Sequence, residues 1–308
     1  MLKIYKNFNL SKIHKKSILL IGNFDGLHLG HQKLFKLAEK YSKKHKVKFG
    51  VLTFDPLPVM FFNKKLTNYR ITSNLQKNLL FEKAGVDFII VSRFNKSFSK
   101  ISADNFIKKI IVKKINPNFI FVSNNFKYGF RRSGNVAKLI SKENIYNYKI
   151  IKPSPLKKGK KIISSTLIRK LLQAGKLKSA NKLLRRNWSI DGIVQKGKKI
   201  GKKLGFPTCN IDIKNYVIAK PGVYSVKVKV NNSNKILKGI ANFGYRPTFG
   251  EKKILLEVNL FNFSGNLYNK SLNVGFCNFI RSEKKFNDHQ ELIRQIERDL
   301  KQAKFDLK

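Results

Sequence analysis

The chain changes its hydrophobic period once, near Trp188, and that change limits what it can fold into. Before Trp188, short apolar runs alternate with stretches whose apolar residues recur every three or four positions, the pattern of a parallel sheet covered by helices. The runs predict strands over 17–22 ("SILLIG"), 48–54 ("KFGVLTF"), 87–94 ("DFIIVSRF"), 118–123 ("NFIFVS") and 148–153 ("YKIIKP"). Between them Leu34, Leu37, Ala38 and Tyr41 share one helix face, as do Phe106, Ile107, Ile110 and Ile111 behind a Ser102 cap. A last helical pattern, "STLIRKLLQAGKLKSANKLLRR", runs from Ser165 to Arg186.

After Trp188 the chain reads in twos. In "GVYSVKVKV" (222–230) Tyr224, Val226, Val228 and Val230 share one face while Lys227 and Lys229 share the other; in "KILLEVNLF" (253–261) Ile254, Leu256, Val258 and Leu260 alternate with Glu257. Asn and Gly between such runs predict an antiparallel barrel or sandwich, closed by an amphipathic helix over 288–303 with Leu292, Ile296, Leu300 and Ala303 inward. At 308 residues the chain is long enough for two cores. The expected organisation is an α/β domain over 1–184 and a mostly antiparallel β-barrel domain with a terminal helix over 185–308.

A net charge of +48, from 65 basic and 17 acidic residues, suggests a polyanionic partner. Only eleven of those cations are arginine, however, whereas readers of nucleic acid lean on arginine for bidentate contacts. The abundant Lys, Asn, Ile and Phe share AT-rich codons, so base composition accounts for the charge and no specific nucleic acid is expected. Cys209 and Cys277 are too few and too far apart for a disulfide framework or a CxxC metal site. No apolar run reaches the length of a membrane span, and the expected location is the cytoplasm. Oligomeric state is not legible.

The chemistry starts at "GNFDGLHLGHQ" (22–32). A strand ending in a glycine-rich turn that feeds a helix can face backbone amides toward a phosphate. His28 and His31 add imidazole donors, and Gly30 between them leaves room for a nucleotide to approach the backbone. The string G-N-F-D-G-x-H-x-G-H resembles the ATP-binding signature of the nucleotidylyltransferases, in the extended form found in prokaryotic bifunctional riboflavin kinase/FAD synthetases. "TFDPLP" (53–58), "RITSNLQKNLLFEKAGVDFIIV" (70–91), "SNNFKYGFRRSGN" (123–135) and "ISSTLIR" (163–169) follow in that family's order. In the second half so do "GFPTCNI" (205–211), "GVYSV" (222–226), "NFGYRPTFG" (242–250), "LEVNLFNFSGNLY" (256–268) and "FIRSEKKF" (279–286).

The resemblance implies a Rossmann-like nucleotidyltransferase domain followed by a riboflavin kinase barrel, with riboflavin, FMN and ATP as substrates and Mg²⁺ as cofactor. It implies His28 and His31 at the α-phosphoryl transition state, and Ser164, Ser165, Thr166 and Arg169 at the β/γ-phosphates. Gly22, Asn23, Phe24, Asp25 and Gly30 complete the first ATP site, with Asn125 toward the flavin. In the second half it implies Gly205, Pro207, Thr208 and Asn210 at ATP, Thr208 and Asn210 also at the metal, Glu257 as the catalytic base, and Arg246 and Arg281 toward the flavin. Four positions depart from the family: Leu57 and Asn259 stand where His is common, Ser123 where Gly is usual, Ile200 where Arg is frequent. The competing readings are a partly degenerate member with one activity and a basic RNA-binding protein. The second is disfavoured by the phosphate loop "ISSTLIR", which is no K-M-S-K-S, and by the lack of an aromatic-basic RNA signature.

Overall fold

In the computed structural model, which describes residues 2–196, 205–231, 233–248 and 251–308, the five apolar runs of the first half all form strands. With an edge strand β1 (Lys3–Tyr5) that the sequence reading missed, they are β2 (Ile18–Ile21), β3 (Phe49–Asp55), β4 (Phe88–Arg93), β5 (Phe119–Phe121) and β6 (Lys149–Ile151). They pair in the order β1-β4-β3-β2-β5-β6, every pair parallel. The chain runs outward from β2 through β3 to β4 and returns to β5 on the other side. The crevice at the carboxyl ends of β2 and β5 is therefore the switch point where such sheets bind ligands.

Successive strand residues serve opposite faces. Ile18, Leu20, Val51, Ile89 and Phe121 pack with Leu34, Phe35 and Ala38 of α1 (Leu29–His45) and with Phe81 of α2 (Asn74–Lys83). Leu19, Ile21, Leu52, Ile90 and Ile120 pack with Phe106, Ile107, Ile110 and Ile111 on the other side. Those four lie on α3, which starts as Ala103–Asn105 under the expected Ser102 cap and then widens to a π-helix over Phe106–Ile115.

Contacts divide the chain into Met1–Thr67 with Asn74–Ser164, and Asn68–Ser73 with Ser165–Lys308. The helical pattern from Ser165 is two helices, α4 (Ser165–Gln173) and α5 (Leu177–Leu184), because Gly175 turns left-handed (φ 71°) between them. Both count with the second unit. Asn181 of α5 donates to the Phe276 carbonyl (2.9 Å) and accepts from the Trp188 amide (2.8 Å). Residues 68–73 join the same unit through Arg70 N to Asn215 O (2.7 Å) and the Trp188 indole to Ile71 O (2.9 Å).

The barrel is closed, in the order β7-β8-β11-β10-β9-β12, from β7 (Trp188–Gln195), β8 (Cys209–Asp212), β9 (Gly222–Val230), β10 (Leu237–Thr248), β11 (Glu251–Leu260) and β12 (Ser271–Ser282). Trp188, Tyr224, Phe243 and Phe276 form its aromatic centre, with Phe276 rings 4.8 Å from Trp188 and 5.1 Å from Tyr224. The final helix, α6 (His289–Asp306), is capped by Asp288, whose Oδ1 accepts from the Glu291 amide (2.7 Å). It packs on the outer face of the barrel, where Ala303 meets Val223 and Ile240. Val223 and Ser225 are buried for that reason, although the alternation assigns them to the outside.

Phe276→Ala removes the ring shared by Trp188 and Tyr224 and is expected to destabilise the barrel by about 3–5 kcal/mol. Trp188, the one tryptophan, reports this directly as a lower denaturant midpoint in its fluorescence.

Candidate active sites

The loop after β2 is held by its aromatic residue. Phe24 adopts a left-handed backbone (φ 47°), as do Gly26 (φ 81°) and Leu27 (φ 35°), and its side chain sits in the core edge-on to Phe35 and Phe81. Burial leaves only the Phe24 backbone to face a ligand, so its side chain anchors the loop. His28 then stands at the N-cap of α1 with no capping bond from its side chain, and His31 follows in the first turn. Their rings stack at 3.7 Å between centroids, 20° apart. Burial first, and the His28 charge second, hold the His31 imidazole well below its usual pKa. Its Nδ1 is buried without a hydrogen-bond partner among the described residues.

Gly30 is closely surrounded on its side-chain face. A Cβ there would meet His28 Cε1, His28 Nδ1 and the Ile163 carbonyl, all at 3.2 Å. The missing side chain thus leaves room for the His28 ring and the Ile163 carbonyl to come close. That places Ile163, and Ser164 after it, beside the histidine pair. Ser165, Thr166 and Arg169 open α4 in the second unit, where Arg169 is buried over the Tyr69 ring (3.6 Å) and donates to the Tyr69 carbonyl (2.8 Å). Gly22 lies against Phe24, Asp25 is buried, and Asn23 presents its carbonyl to the Thr53 hydroxyl (3.4 Å).

Behind Thr53 stands a residue the sequence reading did not single out. Lys77 on α2 is 2% exposed and donates to Thr53 Oγ1 (3.2 Å), which places a buried cation one hydroxyl away from the loop. A lysine in a helix reads as a solvated face, so only the fold reveals it. Of the flavin-side residues, Leu57 is buried before the short helix Pro58–Phe62, and Asn125 is exposed, accepting from the Ser123 hydroxyl (2.9 Å).

The second unit holds a cavity of about 460 Å³ between the barrel's outer face and α6. Glu257, Asn259 and Thr208 line its polar part; Phe286, Leu292, Ile296 and Leu300 line an apolar part. Glu257 points there because Leu256 and Val258, on either side, point into the barrel. Asn210, Glu257 and Asn242 are direct cross-strand neighbours. Asn210 is buried, and its Oδ1 has no hydrogen-bond partner among the described residues. Gly205 turns left-handed (φ 86°) before Pro207. Cys209 fills the usual Ala position, donates to Val258 O and is pushed up to about 11 by burial, so its thiol is inert.

Arg281 lines the cavity but is committed to a buried partner. Its Nε lies 3.0 and 2.8 Å from the two Asp299 carboxylate oxygens, and its Nη2 2.7 Å from one of them. Gln295 donates to the same carboxylate (2.9 Å). The pair pins α6 to β12; Asp299, which lines the cavity, and Gln295, which bonds it, were both missed by the sequence reading. Ile200 and the side chain of Arg246 lie outside the described residues. No cluster of metal-ligating side chains occurs, and no helix is long and apolar enough to cross a membrane, among the described residues.

A stacked histidine pair at the switch point of a parallel sheet, and a carboxylate facing a Thr/Asn turn on a closed barrel, are two candidate centres of the kind a nucleotide-dependent transferase uses. The family models agree: FAD synthetase matches residues 10–167 and riboflavin kinase residues 184–307. The bifunctional riboflavin kinase/FMN adenylyltransferase of Buchnera aphidicola subsp. Schizaphis graminum is 41% identical over 96% of both chains. That of Haemophilus influenzae is 36% identical over the same shares. A solved Streptococcus pneumoniae chain, described as a macrolide-efflux protein, superposes with a TM-score of 0.84 at 26% identity over 97% of both chains. The chain belongs to the bifunctional riboflavin kinase/FMN adenylyltransferase family, transferases that carry both activities.

Two outcomes follow from the site geometry. The unfolded His31 takes a proton near pH 6.5 and the folded one only at lower pH. Stability is therefore complete above about 6.5 and declines as pH falls below it. The urea midpoint is expected to drop between about pH 7.5 and 5.5, and to drop less in His31→Asn. Asp299→Ala leaves the Arg281 guanidinium uncompensated and should cost about 3–5 kcal/mol, read as a lower melting temperature.

Proposed function

We propose that residues 185–308 transfer the γ-phosphoryl group of ATP to riboflavin, and that residues 1–184 join the resulting FMN to AMP from a second ATP, giving FAD. The observation that carries the reading is that the motif residues build two separate polar groups, a stacked histidine pair in the first unit and a cavity lined by Glu257 and Thr208 in the second. In the kinase step the riboflavin 5′-hydroxyl attacks the γ-phosphorus, ADP leaves, and Glu257 takes the hydroxyl proton. The ribityl end then lies toward Glu257 and Thr208, and the apolar part of the cavity suits the ring system. In the adenylyl step a phosphate oxygen of FMN attacks the α-phosphorus and pyrophosphate leaves.

That nucleophile is already anionic, so charge stabilisation matters more than a base. His28 and His31 meet the α-phosphoryl group; His31 is neutral at pH 7 when free, and an arriving phosphate favours its protonated form. Ser164, Ser165, Thr166 and Arg169 serve the β/γ-phosphates, and backbone groups of Gly22 to Asp25 the remainder of the nucleotide. Asn125 and Arg246 are assigned to flavin contacts. Arg281, held by Asp299, forms the cavity wall on the flavin side.

Mg²⁺ fits the second site, because Asn210 Oδ1 is a buried oxygen lacking a hydrogen-bond partner and Thr208 lines the adjoining cavity. Such hard oxygen donors suit the ion, which when bound neutralises phosphate charge. The raised thiols of Cys209 and Cys277 accord with a reducing cytoplasm.

His31→Ala is expected to stop FAD formation while FMN still accumulates, and Glu257→Gln to stop FMN formation while supplied FMN still becomes FAD, both followed by chromatography of the flavins. Loss of both activities in either folded variant would refute the two-site division.

A further inference from the structure

We propose that Asn259 is a positioning residue of the kinase reaction, fixing the Pro207–Thr208 turn against the strand that carries Glu257. The proposal rests on the kinase reading above. The ladder between β8 and β11 begins at Cys209↔Val258 and runs away from the turn, through Asn210↔Glu257 to Asp212↔Leu255. One step further out it would need Thr208 and Pro207, and proline has no N–H to offer.

A side chain takes over at that point. Asn259 Nδ2 donates to the Pro207 carbonyl at 2.7 Å. The acceptor is a carbonyl, so only the amide nitrogen of Asn259 can face it, which settles the orientation of the amide. Asn259 and Glu257 lie two residues apart on β11, on the same face, and both line the cavity together with Thr208. The bond therefore spans from the strand of the base to the turn that offers a hydroxyl to the ATP phosphates. Freed of it, residues 205–208 would be tied to β11 only from Cys209 onward, and Thr208 would lose its fixed place relative to Glu257.

Asn259 is one of the departures from the family, where His is common. An imidazole N–H is also a donor, so the departure keeps the chemistry that the turn requires. The role predicts a split between substrates: the turn touches ATP, so its loosening should weaken ATP and spare riboflavin.

The test compares Asn259→Leu, which is near in size and has no donor, with Asn259→His, which keeps one. In steady-state assays of FMN formation by the full chain, the Leu variant is expected to raise KM for ATP about tenfold, the size of one lost hydrogen bond, with KM for riboflavin within about twofold. The His variant should stay near the parent. FAD formation from supplied FMN should be unchanged in both, which reports a folded chain. An unchanged ATP KM in the Leu variant would overturn the proposal. Equal rises in both KM values, shared by the His variant, would also overturn it by pointing to packing. Glu257→Gln, assayed alongside, tests the underlying reading on its own: retention of its kcat removes Glu257 as base, and leaves the ATP-to-riboflavin KM ratio of the Asn259 variants to decide this proposal.

Discussion

A β-ladder occupies the backbone N–H and C=O groups between its paired strands, so backbone groups that are to meet phosphate stand where a ladder stops. Both candidate centres of this chain stand at such ends. At the carboxyl end of β2 the loop turns left-handed at Phe24, Gly26 and Leu27 and delivers two histidines to the start of α1. In the barrel the β8/β11 ladder stops at Cys209↔Val258, just before Pro207. Each end is then held by something other than the ladder: the Phe24 ring packed edge-on against the stacked Phe35 and Phe81 in one case, the Asn259 amide on Pro207 in the other.

The charge excess shapes the structure through its scarcity of acids. With 17 carboxylates against 65 cations, several acids are committed to specific bonds. Asp299 holds Arg281, Asp288 caps α6, and Asp87 accepts from the Phe49 amide (2.9 Å) while pairing with Lys48 (2.9 Å). Exposed pairs such as Lys43–Glu39 contribute little, whereas removal of Asp299 would strand a half-buried guanidinium. Glu257 lines the cavity of the second unit beside Glu283 and Asp299, and of the three only Asp299 is held in an ion pair among the described residues, with Arg281.

The sequence was most legible where burial on both faces forces a continuous apolar run. All five strand predictions of the parallel sheet stand, each with its ends displaced by no more than two residues. Gly175 inside a long helical pattern broke it in two, since a left-handed turn is open to glycine in a way it is not to its neighbours. The edge strand β1 escaped notice because three residues carry too little periodicity to be read, and the motif that starts at Arg70 gave no sign that residues 68–73 join the second unit. Lys77, Asp299 and Gln295 escaped because a charged or amide side chain on a helix looks solvated until the element that covers it is known.

By itself the sequence determined the change of period between the halves, the α/β class of the first and the antiparallel class of the second, and the positions of the family motifs, because period and motif spacing are local and survive without coordinates; closure of the second half into a barrel was decided by the tertiary structure. Only the tertiary structure decided what those residues touch. It packed Phe24 into the core, gave the space at Gly30 to His28 and Ile163, tied Arg281 to Asp299, and set Asn259 across to Pro207. Each of these contacts joins residues far apart in the chain or turned by a backbone that no pattern encodes. Their partners are therefore fixed by packing and not by spacing.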